Sequence, residues 1–181
     1  MFNRSSIAWK DGVVLLPEVS TAGRVALDDL ENAPLISLFE IWNRLRGERL
    51  FPARSELTAK SIGRFLRNIS IASILDEGRD YEFRIIGDAH VEAYAASYQG
   101  KKLSNLVADS PTFGAVIKGA YDNVRFKKRP LAFRGLMGRD FPDVRFVYHE
   151  SVYLPFGTAD DVVDHVITAS VYVPRDGSWS D

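Results

Sequence analysis

The stretch that decides the fold is YEFRIIGDAHVEAYAASYQGKKLSNL, residues Tyr81–Leu106. Its first residues alternate between apolar and polar, which is typical of a strand with one buried face. Gly87 then breaks the strand, and Asp88 is predicted to cap a helix by accepting hydrogen bonds from its free backbone amides. In that predicted helix, which extends to Tyr98, apolar residues recur at helical spacing and include the phenols of Tyr94 and Tyr98. A strand that runs directly into short helices predicts a concave unit, which the rest of the chain must close.

Composition limits the classes of function. The chain has 181 residues, enough for one domain with a substantial core. Its formal net charge of −1 provides no field that would attract nucleic acid or an anionic membrane. The absence of cysteine excludes disulfides, thiolate nucleophiles and cysteine metal ligands. Because no apolar run is long enough for a signal peptide or a membrane span, we predict a cytoplasmic protein.

The remaining elements follow from periodicity and turn residues. One helix is predicted between Asn32 and Gly47, Thr58 is predicted to cap a short second helix, and Ser110-Pro111 to start a long helix that ends at Lys128. Strands are predicted over residues 68–76, 81–87, 131–138, 145–156 and 162–173. The economical architecture is α+β, with a five-stranded antiparallel sheet and helices inserted between its second and third strands.

We divide the chain into an N-terminal arm, a helical extension, a core and a tail, at residues 1–31, 32–67, 68–174 and 175–181. The arm is expected either to form a short hairpin around Asp11-Gly12 or to be an arm that docks late or stays mobile. Arg54, which follows Pro52 in an extended link, is interpreted as structural. We expect it to pair with a carboxylate and to hold the helical extension onto the core.

The helix after Asn32 carries a strongly apolar stripe. Two interpretations are open: the stripe packs on the sheet of its own chain, or it forms a contact between two copies. We predict that it supports a homodimer, because large exposed apolar patches usually mark an interface. The predicted interface residues are Leu35, Leu38, Phe39 and Trp42.

Both the element order and several motifs resemble the PAS domain. The motifs are WNRLRGERLFPARSELT at Trp42–Thr58, FRIIGD at Phe83–Asp88, YQGKKL at Tyr98–Leu103 and YHESVYLP at Tyr148–Pro155, and the first looks like the opening signature of one bacterial branch of PAS-like proteins. The resemblance implies a PAS-like core over 68–174 and a sensory or regulatory module, often dimeric. With no output domain in the sequence, its signal is expected to pass by association with a separate protein.

The resemblance also sets expectations about cofactors. Flavin-binding photosensory PAS domains and coumarate-binding photoreceptors depend on a reactive cysteine, which this chain lacks. Haem-binding PAS sensors commonly take an axial histidine from the long helix before the third strand, and residues 111–128 contain none. We therefore predict no cofactor and a colourless protein.

A ligand cavity is predicted between the helix that starts at Asp88, the long helix after Ser110 and the sheet. Buried phenols need hydrogen-bond partners, so tyrosines around an apolar space suit a small apolar or aromatic metabolite. An equally open interpretation is that these hydroxyls only reach solvent at the rim. Gly114 and Gly119 are expected to leave room for the ligand, the alternative being close packing of the helix on the sheet. The candidate ligand-binding residues are Phe83, Ile85, Tyr94, Tyr98, Phe113, Ile117, Tyr121, Phe133 and Ile167.

Other classes of function compete with this hypothesis. A small α+β-cone-like enzyme would use Asp88, His90 and Tyr94, although no activated nucleophile is evident. A closed-core dimerising adaptor would bind no small molecule at all.

The histidines have no metal-ligand spacing, so no metal site is predicted. The basic cluster at the end of the long helix is interpreted as a solvated helix end, with a phosphate or nucleotide contact as the alternative; it consists of Arg125, Lys127, Lys128 and Arg129.

Overall fold

A six-stranded antiparallel sheet forms the centre of the molecule, with strands in the order β3-β6-β7-β8-β4-β5. The structure is a computed structural model, which describes residues 8–10, 13–15, 22–158 and 161–175. Its strands are β1 (Ala8–Lys10), β2 (Val13–Leu15), β3 (Gly23–Val25), β4 (Ile69–Leu75), β5 (Asp80–Ile86), β6 (Leu131–Gly135), β7 (Phe146–Gly157) and β8 (Val163–Pro174). Its helices are α1 (Ala33–Arg46), α2 (Ala59–Ile62), α3 (Asp88–Tyr94), α4 (Leu103–Asp109) and α5 (Pro111–Lys127).

The predicted α+β architecture is confirmed, and the predicted strands are β4, β5, β6, β7 and β8. α3, α4 and α5 lie between the second and third of these strands, as expected. The sixth strand, β3, comes from the N-terminal arm and pairs with β6 at one edge of the sheet. The hairpin of the arm is present as the antiparallel pair β1–β2. Its predicted turn at Asp11-Gly12, like residues 176–181 of the predicted tail, lies outside the described residues.

The two faces of the sheet have different partners. The helix face is covered by α3, α4 and α5, and its core includes Tyr81, Phe83 and Val166. The α1 face is covered by α1 and the segment that follows it, and its core includes Leu154 and Ile167. Both faces are therefore buried, which explains why the strands carry apolar residues on both sides.

α1 packs on the sheet of its own chain. Leu35, Leu38 and Trp42 are all buried there, and Trp42 Nε1 donates a hydrogen bond to the carbonyl oxygen of Pro155 at 2.8 Å. Phe39 is only half-buried and stacks on Trp42, with ring centroids 6.1 Å apart. The apolar stripe thus already has a partner within the chain. The homodimer predicted from it stays a prediction, to be tested by the mass in solution.

Only some of the helix ends predicted from the sequence are observed. Thr58 caps α2, since its hydroxyl accepts a hydrogen bond from the Ser61 amide at 3.3 Å. The prediction for α3 is wrong at both ends: Gly87 occupies the cap position, and the Asp88 side chain makes no capping bond. The helix ends at Tyr94 because Ala95 adopts a left-handed conformation with φ of 59°.

Gly114 and Gly119 play different roles from those predicted. A Cβ atom at Gly114 would lie 2.6 Å from the Cα of Val107, so this glycine permits close packing of α5 on α4. A Cβ atom at Gly119 would meet nothing within 4 Å. Neither glycine therefore keeps a ligand cavity open.

The residues that attach the helical extension to the core differ from the one predicted. Arg54 donates to the carbonyl oxygen of Leu57 at 3.0 Å, and no described carboxylate pairs with it. The bidentate pair in this segment instead joins Arg49 to Glu56, at 2.8 and 2.9 Å. The carboxylate that anchors the extension is Glu150 of β7, which the sequence analysis did not single out.

Candidate functional site

The predicted tyrosines converge in the helix-face core. All the candidate ligand-binding residues except Ile85 and Ile167 belong to this core. The rings pack closely: centroids lie 5.1 Å apart for Tyr94 and Phe113, and 6.3 Å apart for Phe83 and Tyr121. These residues thus lie together as predicted. Ligand contact with them stays a prediction.

The protein itself satisfies the hydroxyls of these tyrosines. Tyr98 donates to Asp109 Oδ2 at 2.9 Å, and Thr168 Oγ1 donates to the Tyr121 hydroxyl oxygen at 3.2 Å. Burial and the neighbouring Asp109 raise the pKa of Tyr98 to about 12, so its phenol is neutral. These phenols therefore have structural partners without any ligand.

Ile85 and Ile167 lie on the opposite side of the sheet. Both pack in the α1-face core, so the prediction that they line the same cavity as Tyr94 and Tyr121 is wrong. For Ile85 the cause is a β-bulge: Ile71 pairs with Ile85, but the next residue of β4, Ala72, pairs with Phe83. The extra residue, Arg84, reverses the alternation along β5.

The structure does contain a cavity on the helix face, on the β6 side of α5. Its volume is about 190 Å³. Because Val116 is one of its lining residues and is 45% exposed, the cavity reaches solvent along α5. Of the predicted ligand-binding residues, it is lined by Phe133. The complete lining is Ala22, Val116, Ala120, Phe133, Met137, Asp140, Phe141, His149 and Tyr153. We call it the His149 cavity.

His149 is the polar residue that distinguishes this cavity. The side chain is 4% exposed, and its Nδ1 lies 2.9 Å from Ser151 Oγ. Its Nε2 is buried and has no hydrogen-bond partner among the described residues. Burial lowers the pKa of His149 to about 4, so the imidazole is neutral near pH 7. In either neutral tautomer, Nε2 keeps one unused capacity, as an N–H donor or as a lone-pair acceptor.

A polar chain continues from His149 along the helix face. Ser151 Oγ lies 2.7 Å from Ser170 Oγ on β8. Two positions further along β8, the Tyr172 hydroxyl lies 3.0 Å from His90 Nδ1. His90 Nε2 lies 3.0 Å from the carbonyl oxygen of Asn68, which can only accept, so this nitrogen carries the proton. Polar groups therefore extend from the cavity wall to α3.

The arrangement does not assemble the predicted acid–base group. His90 and Tyr94 do lie together, with ring centroids 5.7 Å apart. Asp88, however, is exposed, whereas His90 is completely buried with both ring nitrogens engaged. Burial also lowers the pKa of His90 to about 4. A buried, hydrogen-bonded imidazole with no free nitrogen is poorly placed to exchange protons with a substrate.

Sequence reasoning treated His149 only as one of three scattered histidines. A usable signal was nevertheless present in β7. His149, Ser151 and Tyr153 occupy alternate positions, so a strand places all three side chains on one face. Three polar groups in a row on the inner face of a buried strand indicate a polar strip in the core, which needs a chemical reason.

Two further findings concern metals and membranes. No group of three or more acidic or histidine side chains that could hold a metal ion occurs within the described ranges. Over the same ranges, no helix combines the length and the apolar character needed to cross a membrane.

Comparison with known proteins agrees with this fold. The family model described as PAS domain matches residues 30–169, which include α1 and every strand from β4 to β7. Comparisons with curated proteins and with solved structures found no match. Because the matched region covers more than half of the chain, the chain belongs to the PAS domain family.

Proposed function

We propose that this PAS domain is a sensory module that binds a small, mainly apolar molecule in the His149 cavity. It acts by binding rather than turnover, and it signals by association with a separate protein. The observation that carries the proposal is the buried Nε2 of His149, which has no partner among the described residues. An unsatisfied buried polar atom costs about 1–3 kcal/mol, and a ligand whose entry turns the imidazole so that Nε2 faces the cavity would recover much of that cost.

The size of the cavity narrows the class of ligand. An apolar cavity of about 150 Å³ is large enough to bind benzene. The His149 cavity, at about 190 Å³, therefore suits one aromatic ring with a small substituent. A hydroxyl substituent can donate or accept, so it complements Nε2 in either tautomer. Phe133, Phe141 and Tyr153 supply aromatic walls for such a ring.

The test compares phenol with toluene, which has a similar shape but no hydrogen-bonding group. We expect phenol to bind more tightly than toluene by about 5- to 30-fold, the equivalent of one recovered hydrogen bond. Titration calorimetry measures both affinities, and the ¹⁵N chemical shift of His149 Nε2 reports the new bond. His149→Leu is expected to weaken phenol binding to the level of toluene. Equal binding of the two probes by the wild type, or no binding, would refute the proposal.

A further inference from the structure

Basic side chains from distant parts of the sequence meet in a groove beside α1. The groove has a volume of about 450 Å³. Its cations are Arg24 of β3, Arg46 and Arg49 near the end of α1, and Lys128 and Arg129 after α5. Glu48 is the acidic residue in its lining. We call this surface the basic groove.

Most of this positive charge is not neutralised by ion pairs among the described residues. Arg49 forms the bidentate pair with Glu56, but no described carboxylate forms an ion pair with Arg24, Arg46, Lys128 or Arg129. The whole chain has a net charge of −1, so this is a local excess rather than a general property. Such a surface attracts acidic groups and rejects basic ones.

The floor of the basic groove is apolar. Trp42 is itself buried, but the half-buried Phe39 stacks on it at an interplanar angle of 16°, and the neighbouring Leu50 is 47% exposed. A simple anion would contact the cations of the groove but would leave its apolar surface exposed to water. A protein segment with acidic residues around one apolar side chain would use both, because aromatic and arginine side chains dominate the binding energy of protein interfaces.

We propose that the basic groove docks an acidic segment of a partner protein, which places one apolar side chain against Phe39 and Leu50. This inference rests on the proposed function, since it assigns a surface and a partner chemistry to signalling by association. Nucleic acid fits less well, because the charge is confined to one groove and does not form an extended basic face.

The test starts from an unbiased source of partners. The full chain is used to select binders from a random peptide display library, and an enriched peptide is synthesised with a fluorescent label. We expect Asp- and Glu-rich peptides with a central aromatic or aliphatic residue, bound less tightly as salt is raised. Arg24→Glu/Arg129→Glu is expected to weaken binding at least about tenfold. Both side chains are exposed, so the variant should fold, and its thermal unfolding checks this.

The matched control is Lys60→Glu/Arg64→Glu, which changes the net charge equally at exposed positions outside the groove lining. It should leave the affinity within about twofold. Selection of peptides without acidic residues, failure to select any, or equal loss in both variants would overturn the inference. A dimer that only Arg24→Glu/Arg129→Glu dissociates would also overturn it, by making a second copy the occupant. Phenol binding is measured in the same variants. This distinguishes a failure of the peptide-docking proposal for the basic groove from a failure of the ligand proposal for the His149 cavity.

Discussion

The carboxylate of Glu150 accepts a hydrogen bond from the backbone amide of Asn32 at 2.8 Å, immediately before the first turn of α1. Glu150 is completely buried in β7. It also accepts bonds from the Glu31 amide at 3.0 Å and from Arg134 at 3.3 Å. One carboxylate therefore attaches the helical extension to the middle of the sheet, near the positive end of the α1 dipole.

Loss of this carboxylate should be costly. Glu150→Ala leaves the backbone amides of Glu31 and Asn32 without their acceptor and removes one of the partners of Arg134, and we expect it to lower the free energy of unfolding by about 3 kcal/mol or more. Urea denaturation measures the change. The control is Glu92→Ala, which removes an exposed pair with Arg67 and should cost less than about 1 kcal/mol. Similar losses in the two variants would show that Glu150 does not anchor the extension.

Two glycines in α5 provide a second, internally controlled prediction. Gly114→Ala places a methyl group 2.6 Å from Val107 Cα in α4, so the two helices must separate. We expect a loss of about 1–3 kcal/mol. Gly119→Ala adds a methyl group in open space on the same helix and should gain up to about 1 kcal/mol from helix propensity. Thermal unfolding should thus move in opposite directions, and a shift of the same sign would contradict the packing described.

The buried imidazoles predict sensitivity to acid. The pKa of His90 and that of His149 are lowered to about 4 by burial, against about 6.5 for an unfolded histidine. Below pH 6.5 the unfolded chain takes up protons that the folded chain refuses, so stability is lost as pH falls from about 6.5 to about 4. Each histidine should contribute about 3 kcal/mol over that range.

The measurement is chemical denaturation at several pH values between 4 and 7. His149→Leu should remove about half of the pH dependence that the two histidines cause, while His90 retains the remainder. Tyr172 and Ser151 face His149 from the sheet, and Asp140 lines the same cavity. An unchanged slope in His149→Leu would mean that this imidazole is not kept neutral by burial.

The cavity and the basic groove are connected by β3. Ala22 lines the cavity, Arg24 lines the groove, and Arg24 pairs with Phe133 of the cavity wall. We expect saturating phenol to slow hydrogen exchange of the β3 amides, because a ligand that contacts Ala22 and Phe133 stabilises this pairing. Amides of β5, on the far edge of the sheet, serve as the control. Equal protection at both edges, or none at β3, would argue against this connection.

The order of the helices and strands was predicted from the sequence more accurately than the face of the sheet on which each side chain lies. Alternation and turn residues placed five strands and the long helix, because these signals are local. Alternation cannot show which face meets which helix, so Ile167 was assigned to the wrong layer. It also fails at a bulge, as Ile85 shows, because one extra residue reverses every side chain beyond it.

The candidate site was less predictable for a related reason. Tyrosines suggested a ligand, but Tyr98 finds a carboxylate partner 11 positions away, and Tyr121 finds a hydroxyl partner 47 positions away. The opposite holds for His149, whose Nε2 has no partner among the described residues once the strands are assembled. Whether a buried polar group is satisfied depends on its spatial neighbours, and one-dimensional spacing does not contain that information.

The attachment of the extension through Glu150 also has a consequence for biosynthesis. Asn32 and Glu150 are 118 positions apart, so the amide leaves the ribosome long before its acceptor exists. At about 5–20 residues per second, the delay is roughly 6–24 s. During that interval the apolar stripe of α1 has no sheet to cover it and is open to chaperones or to aggregation. α1 is therefore synthesised before the strands β7 and β8 on which it packs.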